Sequence, residues 1–286
     1  MTLFALGLVL ASAVTHASWN LFAKRAGGGA IFTWLFSAAA VALYAPLTAG
    51  LVIFQQPGIG ATQLVFIAGS AILHLVYFLL LAGGYRAGDL SLVYPLARGT
   101  GPLLATSAAI AFLGERPTTV ALIGACLIGV GIFGLAGEPS KLRSKGAGRA
   151  VAYALLTGLL ICGYTLWDKQ AVGAAGIPPL LYLWGFTLGM VIMMTPYVWS
   201  HRETVAAEWT HHRSEVLVIA VLMPLSYILF LPALALSPVS YVAPMREIGI
   251  LVGAAMGTRL LAEGHSTRRL ASAGAMVAGV IGLAVG

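Results

Sequence analysis

The chain has 286 residues, of which 59% are hydrophobic and only 9% charged, with a mean hydropathy of +0.94. A soluble domain carries roughly a quarter charged residues, so this chain cannot cover a water-facing surface, and its excess apolar side chains must meet lipid. The net charge of +7 is spread singly or in small groups between apolar runs, with no basic stripe interleaved with aromatics. That distribution argues against nucleic-acid binding.

Ten apolar stretches follow in chain order, at 3–22, 30–54, 62–84, 90–113, 118–137, 149–167, 178–199, 215–236, 239–261 and 268–286. Most are about 20 residues long, the length that spans a bilayer. The first could pass for a signal peptide over Met1 to Ala17, but it lacks a charged leading region. Its apolar run also continues through Trp19 to Phe22, so it reads as a membrane helix. Its face carries Ser12, His16, Trp19 and Asn20. The third aligns His74, Tyr77, Phe78, Leu81 and Tyr85 at helical spacing. The fourth aligns Ser91, Tyr94, Arg98 and Gly101, and the sixth Tyr164, Trp167 and Asp168. The eighth offers Ser226 and Tyr227, the latter the counterpart of Tyr77. Small residues recur every four positions in the fifth span (Ala121, Ala125, Gly129) and the tenth (Ala271, Ala275, Gly279). Such stripes let helices approach closely in lipid, so these two are expected to pack together. Cys126 and Cys162 lie inside apolar runs and read as packing residues; nothing suggests a disulfide, a metal site or a cofactor.

The second half repeats the first. Adding 148 carries Arg98 to Arg246, Gly101 to Gly249, Glu115 to Glu263 and Gly131 to Gly279 without a gap. The expected architecture is therefore an all-α integral membrane protein of ten transmembrane helices in two five-helix repeats, 1–137 and 149–286, joined by a linker at 138–148. Five is odd, so the second repeat is expected to be inverted. The polar stretches Glu138–Arg149 and Ser200–Ser214 read as the longest loops, in which His201, His211 and His212 are solvated. With the N-terminus outside, twelve of the sixteen Lys and Arg fall in cytoplasmic loops and only Arg116 and Lys169 fall outside. The positive-inside rule then places both termini in the periplasm and the linker in the cytoplasm.

Polar groups at hydrocarbon depth need a reason. Arg98 lies about nine residues into its span, roughly 13 Å deep at about 1.5 Å per residue. Arg246 matches it, and Glu247 follows. One reading is a structural pair, Arg246–Glu247 or Arg98–Glu247. The other is a cation that holds an anionic group of a solute, most simply a carboxylate. Pro95 and Pro244 precede the two arginines, and Pro224 and Pro232 interrupt the eighth span, so kinks are expected at Pro95, Pro232 and Pro244. His16, Trp19, Asn20, His74, Tyr77, Phe78, Tyr94, Tyr164, Trp167 and Tyr227 are the further candidates for a solute pocket. Trp19 and Trp167 fit an interfacial aromatic belt equally well, as do Tyr182, Trp184, Tyr197 and Trp199 at the ends of the seventh span. Hydrolase, phosphate-loop and zinc-protease motifs are missing, and an enzyme is not expected.

The run Gly88-Asp89-Leu90-Ser91-Leu92-Val93-Tyr94-Pro95-Leu96-Ala97-Arg98, with Gly114-Glu115-Arg116-Pro117 after it, resembles the fourth-span signature of the drug/metabolite transporter superfamily, EamA type. His16 to Arg25 fits the first span, and Tyr164 to Lys169 keeps its aromatic and lysine spacing. The resemblance implies a ten-helix secondary transporter of the bacterial inner membrane, expected to act as a monomer. Among such proteins, an aromatic pocket with a carboxylate-binding cation most resembles the amino-acid exporters, the YddG-like aromatic amino-acid exporters among them. It implies export of amino acids or similar small metabolites by alternating access. The alternatives are a phosphorylated-metabolite or nucleotide-sugar antiporter and, more weakly, a membrane-embedded enzyme. The pattern departs at Val242-Ala243-Pro244-Met245-Arg246, where the proline stands one residue nearer its arginine than Pro95 stands to Arg98.

Overall fold

The structure, a computed structural model, describes residues 1–26, 29–88, 90–135, 147–252 and 267–286. Most of the linker, the remainder of the ninth span and Glu263 lie outside the described residues. Among the described residues the chain forms α-helices and no strand. They are α1 (Leu3–Arg25), α2 (Ala30–Gln55), α3 (Ala61–Ala87), α4 (Leu90–Leu113), α5 (Thr119–Leu135), α6 (Ala147–Val172), α7 (Pro179–Ser200), α8 (Arg202–Leu236), α9 (Val239–Arg246) and α10 (Thr267–Val285). Helical backbone resumes over 248–252 after a turn at Glu247. Seven of them, α1 to α4 and α6 to α8, are long and apolar enough to cross a membrane; α5 and α10 are shorter apolar helices. Leu64, Val65, Ile72 and Leu79 of α3 and Phe112 of α4 are exposed. Outward apolar faces of this extent mark a multi-pass membrane protein.

Most of the expected spans are helices within a few residues of their predicted limits. The ninth breaks at Glu247 and is described only to residue 252. Ser200–Ser214, expected as a loop, differs too. It is helical from Arg202 and bends at His212, whose backbone (φ −124°, ψ 21°) leaves the helical region. No proline or glycine stands between Arg202 and Met223. Val205 packs on the cluster of Phe32, Leu35, Phe36, Val216 and Ile219, which gives the polar segment an apolar anchor. His211 and His212 are therefore helical; His212 is half-buried with its ring 5.9 Å from that of Phe32.

The two halves interleave. α1 packs on α8, α2 on α7 and α8, α3 on α6 and α7, α4 on α6 and α9, and α5 on α10. The α5–α10 contact expected from small residues is present, but its centre is shifted. A Cβ on Gly124 would stand 2.7 Å from the Gly279 carbonyl oxygen, and one on Gly279 2.5 Å from that of Gly124. Gly129 faces Leu103 of α4 instead. Residues four apart advance by about 40° round a helix beyond one full turn, so a stripe at that spacing leaves the contact within two steps.

One end of the bundle is tied by polar contacts. Lys169 Nζ donates to the carbonyls of Leu234, Ala235 and Ser237, at 2.7, 3.2 and 3.0 Å. Glu115 accepts from the backbone N–H groups of Val239 and Ser240 at 2.7 and 2.9 Å. A cation at the end of α8 and an anion at the start of α9 each meet the helix terminus that suits their charge. The Tyr241 hydroxyl accepts from Thr118 N–H and donates to the Gly286 carbonyl. The α4–α5, α6–α7 and α8–α9 turns thus gather with the C-terminus.

Candidate functional site

Both expected arginines are buried, with Arg98 4% and Arg246 6% exposed, but their surroundings differ. Arg98 sits inside α4, which runs through Pro95 without interruption. Its Nε donates 2.9 Å to Glu247 Oε2, and the two form a buried ion pair. Arg246 is the last residue of α9. Proline at 244 has no N–H to give its upstream carbonyl, and the helix stops two residues later. The turn brings Glu247 to Arg98 rather than to Arg246. Of the two pairings open in the sequence, the one between α4 and the α9 break is formed.

Among the described residues Arg246 has no ion-pair partner, and its Nε meets no hydrogen-bond acceptor. Its guanidinium carbon lies 4.1 Å from the centroid of the Phe230 ring and 5.0 Å from that of Tyr227. Stacking on aromatic faces supplies part of what solvent would have given the cation. α8 continues helical through Pro232, and its buried Tyr227 and Phe230, three residues apart, share a face.

Behind Tyr227 lies a second polar group, centred on the Asp168 that the sequence aligns with Tyr164 and Trp167. Asp168 of α6 is fully buried. Its Oδ1 accepts from Ser70 Oγ at 2.9 Å and from the Tyr182 hydroxyl at 2.6 Å. Its Oδ2 accepts from the Tyr227 hydroxyl and is 3.9 Å from His74 Nε2. His74 lies between the rings of Tyr164 and Phe186, centroids 4.4 and 4.6 Å away. Its Nδ1 contacts the Ser70 carbonyl at 2.9 Å, and its Nε2 contacts the Tyr227 oxygen at 3.2 Å. Tyr182, expected in an interfacial belt, is wholly buried. Trp184 likewise turns inward, donating to the Val41 carbonyl. Tyr197 and Trp199 are exposed as a belt requires.

The remaining candidates divide. Tyr77 joins the aromatic group through Tyr164, at 5.6 Å, and Phe78, at 5.1 Å; Tyr94 is half-buried on α4. His16 is buried, and Trp19 lies 5.0 Å from it edge-on; among the described residues His16 Nδ1 and Trp19 Nε1 meet no hydrogen-bond partner. Asn20 donates to the His16 carbonyl within α1. Trp167 packs against α3. It donates to the Phe66 carbonyl at 2.8 Å and fills the space over Gly69, where a Cβ would stand 2.5 Å from its ring, so it locks α6 to α3. A cavity of about 320 Å³ opens elsewhere, lined by Phe32, Tyr197, Glu208 and His212, and none of the expected site residues borders it.

No family model and no curated protein matches the chain. Among solved structures it is similar to one described only as "Crystal structure of protein", with TM-score 0.78 and 14% identity over 98% of this chain and 96% of that one. The likeness shows that a solved protein follows the same chain path. The class defined by fold and site together is an all-helical, multi-pass membrane protein with charged groups buried in its interior.

Proposed function

We propose that this chain is a secondary transporter that exports amino acids, aromatic and other neutral ones among them, across the bacterial inner membrane by alternating access. The observation that carries the reading is Arg246. A guanidinium buried on two aromatic rings, with no carboxylate paired to it among the described residues, is costly at this depth and suits an incoming carboxylate. Tyr227, Phe230, Tyr164 and Tyr77 would give an apolar side chain broad contact with little demand for one shape.

The helix contacts favour the inverted repeat that such a transporter needs. Pairing α1 to α5 with α6 to α10 in order turns the α1–α8 contact into α6–α3, α2–α8 into α7–α3 and α4–α6 into α9–α1. The α2–α7, α4–α9 and α5–α10 contacts map onto themselves, and every one of these contacts is present. These matched contacts support a two-fold axis between two five-helix halves. The end tied by Lys169, Glu115 and the C-terminus is the one that the positive-inside rule places in the periplasm.

The test is reconstitution into liposomes with labelled amino acids, amino-acid amides and phosphorylated sugars. Free acids should exchange and should compete roughly ten-fold or more better than their amides, since a hydrogen bond to a charged group is worth about 1.5–3 kcal/mol. Equal competition by amides would remove the carboxylate from the reading. Competition by phosphorylated sugars alone would make the chain an antiporter of phosphorylated metabolites.

A further inference from the structure

The donors and acceptors around His74 do not close unless one more proton is present. The Ser70 carbonyl can only accept, so the His74 Nδ1 at 2.9 Å from it carries a hydrogen. The Ser70 hydroxyl gives its own proton to Asp168, so it too can only accept from Nδ1, 3.1 Å away. In a neutral imidazole with Nδ1 protonated, Nε2 is a bare acceptor. Its neighbour at 3.2 Å is the Tyr227 oxygen, whose single proton is committed to Asp168 Oδ2. Two lone pairs would then face each other in a buried site, which is costly.

We propose that His74, Tyr227 and Asp168 form a binding site for one exchangeable proton. The proton taken up from water forms the Nε2–H bond of His74. Nε2 then donates to the Tyr227 oxygen, Tyr227 donates to Asp168, and the chain is complete. The carboxylate, which also accepts from Tyr182 and Ser70, is the counter-ion. On release the Nε2–H bond breaks, the electron pair stays on nitrogen, and the cluster changes from neutral to a net charge of −1. The ionisable and charged groups facing His74 are Asp168 and Tyr164 of α6, Tyr182 of α7, Tyr227 of α8 and Arg246 of α9. Lys169, next to Asp168, is turned away onto the end of α8. His74 is buried between the rings of Tyr164 and Phe186, so little screens the change of charge.

Resting on the transport reading above, the same proton would govern the solute. The Tyr227 ring separates this cluster from the Arg246 guanidinium, 5.0 Å from its centroid. With the proton absent, the cluster's negative charge offsets Arg246. With it present, Arg246 is free to hold an anion, so proton and carboxylate bind cooperatively.

The test is 15N NMR of the full-length protein, histidine-labelled and held in lipid nanodiscs, with the His74 signals assigned by loss in His74→Gln. In the wild type His74 should pass from imidazolium to the neutral form with Nδ1 protonated as pH rises. Tyr227→Phe removes the oxygen that receives Nε2–H and spares the ring. It should lower that midpoint by about 1–2 pH units, the worth of one hydrogen bond to a charged group. Asp168→Asn should do the same where thermal melting shows it folded. A His74 that stays neutral across the whole pH range of the folded wild type overturns the proton site, as does a midpoint unmoved in Tyr227→Phe. The two readings fail separately. Carboxylate transport without a titrating His74 removes only the proton site, and a titrating His74 without transport of any solute removes only the transporter.

Discussion

Arg98 and Arg246 occupy matching places in the two halves of the sequence, yet the fold treats them oppositely. Arg98 lies within an unbroken helix and holds a buried carboxylate. Arg246 ends a helix and rests on aromatic faces, its Nε without a partner among the described residues. The difference starts from a shift of one residue. Pro95 stands three positions before Arg98 and Pro244 two before Arg246. One residue is about 100° round a helix, so the freed carbonyl and the arginine keep different relative directions. One arginine became a strut and the other stayed available. Two arginines at matching sequence positions thus meet different surroundings through a local asymmetry.

The comparison breaks most visibly at Glu247. Glu247→Ala leaves Arg98 buried with no counter-ion, which should cost about 3–5 kcal/mol. In detergent the variant should melt well below the wild type or fail to express. Combining it with Arg98→Met should restore most of the loss, because an apolar side chain of similar length can replace a buried ion pair at little net cost. An unchanged melting temperature in Glu247→Ala would mean that the pair holds nothing together.

A smaller effect is expected where the halves meet without charge. Gly124 and Gly279 let the α5 and α10 backbones touch. Gly279→Val should push them apart, at about 1–3 kcal/mol for forced overpacking. The same change at Gly274, whose Cβ would meet nothing within 4 Å, should be near neutral. Thermal melts of the two variants side by side give the measurement, and equal losses would place the contact elsewhere.

Element positions were legible because a span announces itself by length and apolarity, and both survive without any knowledge of packing. The first half of α8 was not, since Arg202 to Ser214 is polar and its apolar anchor, Phe32, lies on another helix. Arg98, Arg246 and Glu247 were legible as costly residues, but the partner of Glu247 depended on a helix break. Asp168 is legible as a polar residue aligned with Tyr164 and Trp167, but its partners are not. Tyr182 stands at the end of its span and so reads as interfacial. Ser70 gives no signal at all. Only the fold brings the serine of α3 and the tyrosines of α7 and α8 onto one carboxylate.

The smallest change in stability, and the sharpest contrast with Glu247→Ala, is expected from Arg246→Leu. The stacking of the guanidinium on Phe230 and Tyr227 is worth about 0.5–2 kcal/mol. Against that, its removal relieves a buried charge whose Nε has no partner, a relief of the same order. The two offset, and the melting temperature should stay within a few degrees of the wild type. Transport of carboxylate solutes should nevertheless be lost. Arg246→Lys should recover little, because an ammonium lacks the planar fork that grips a carboxylate and stacks less well on the rings. A melting temperature that falls as far as in Glu247→Ala would assign Arg246 to structure. A stable variant with wild-type transport would leave the comparison without its functional half.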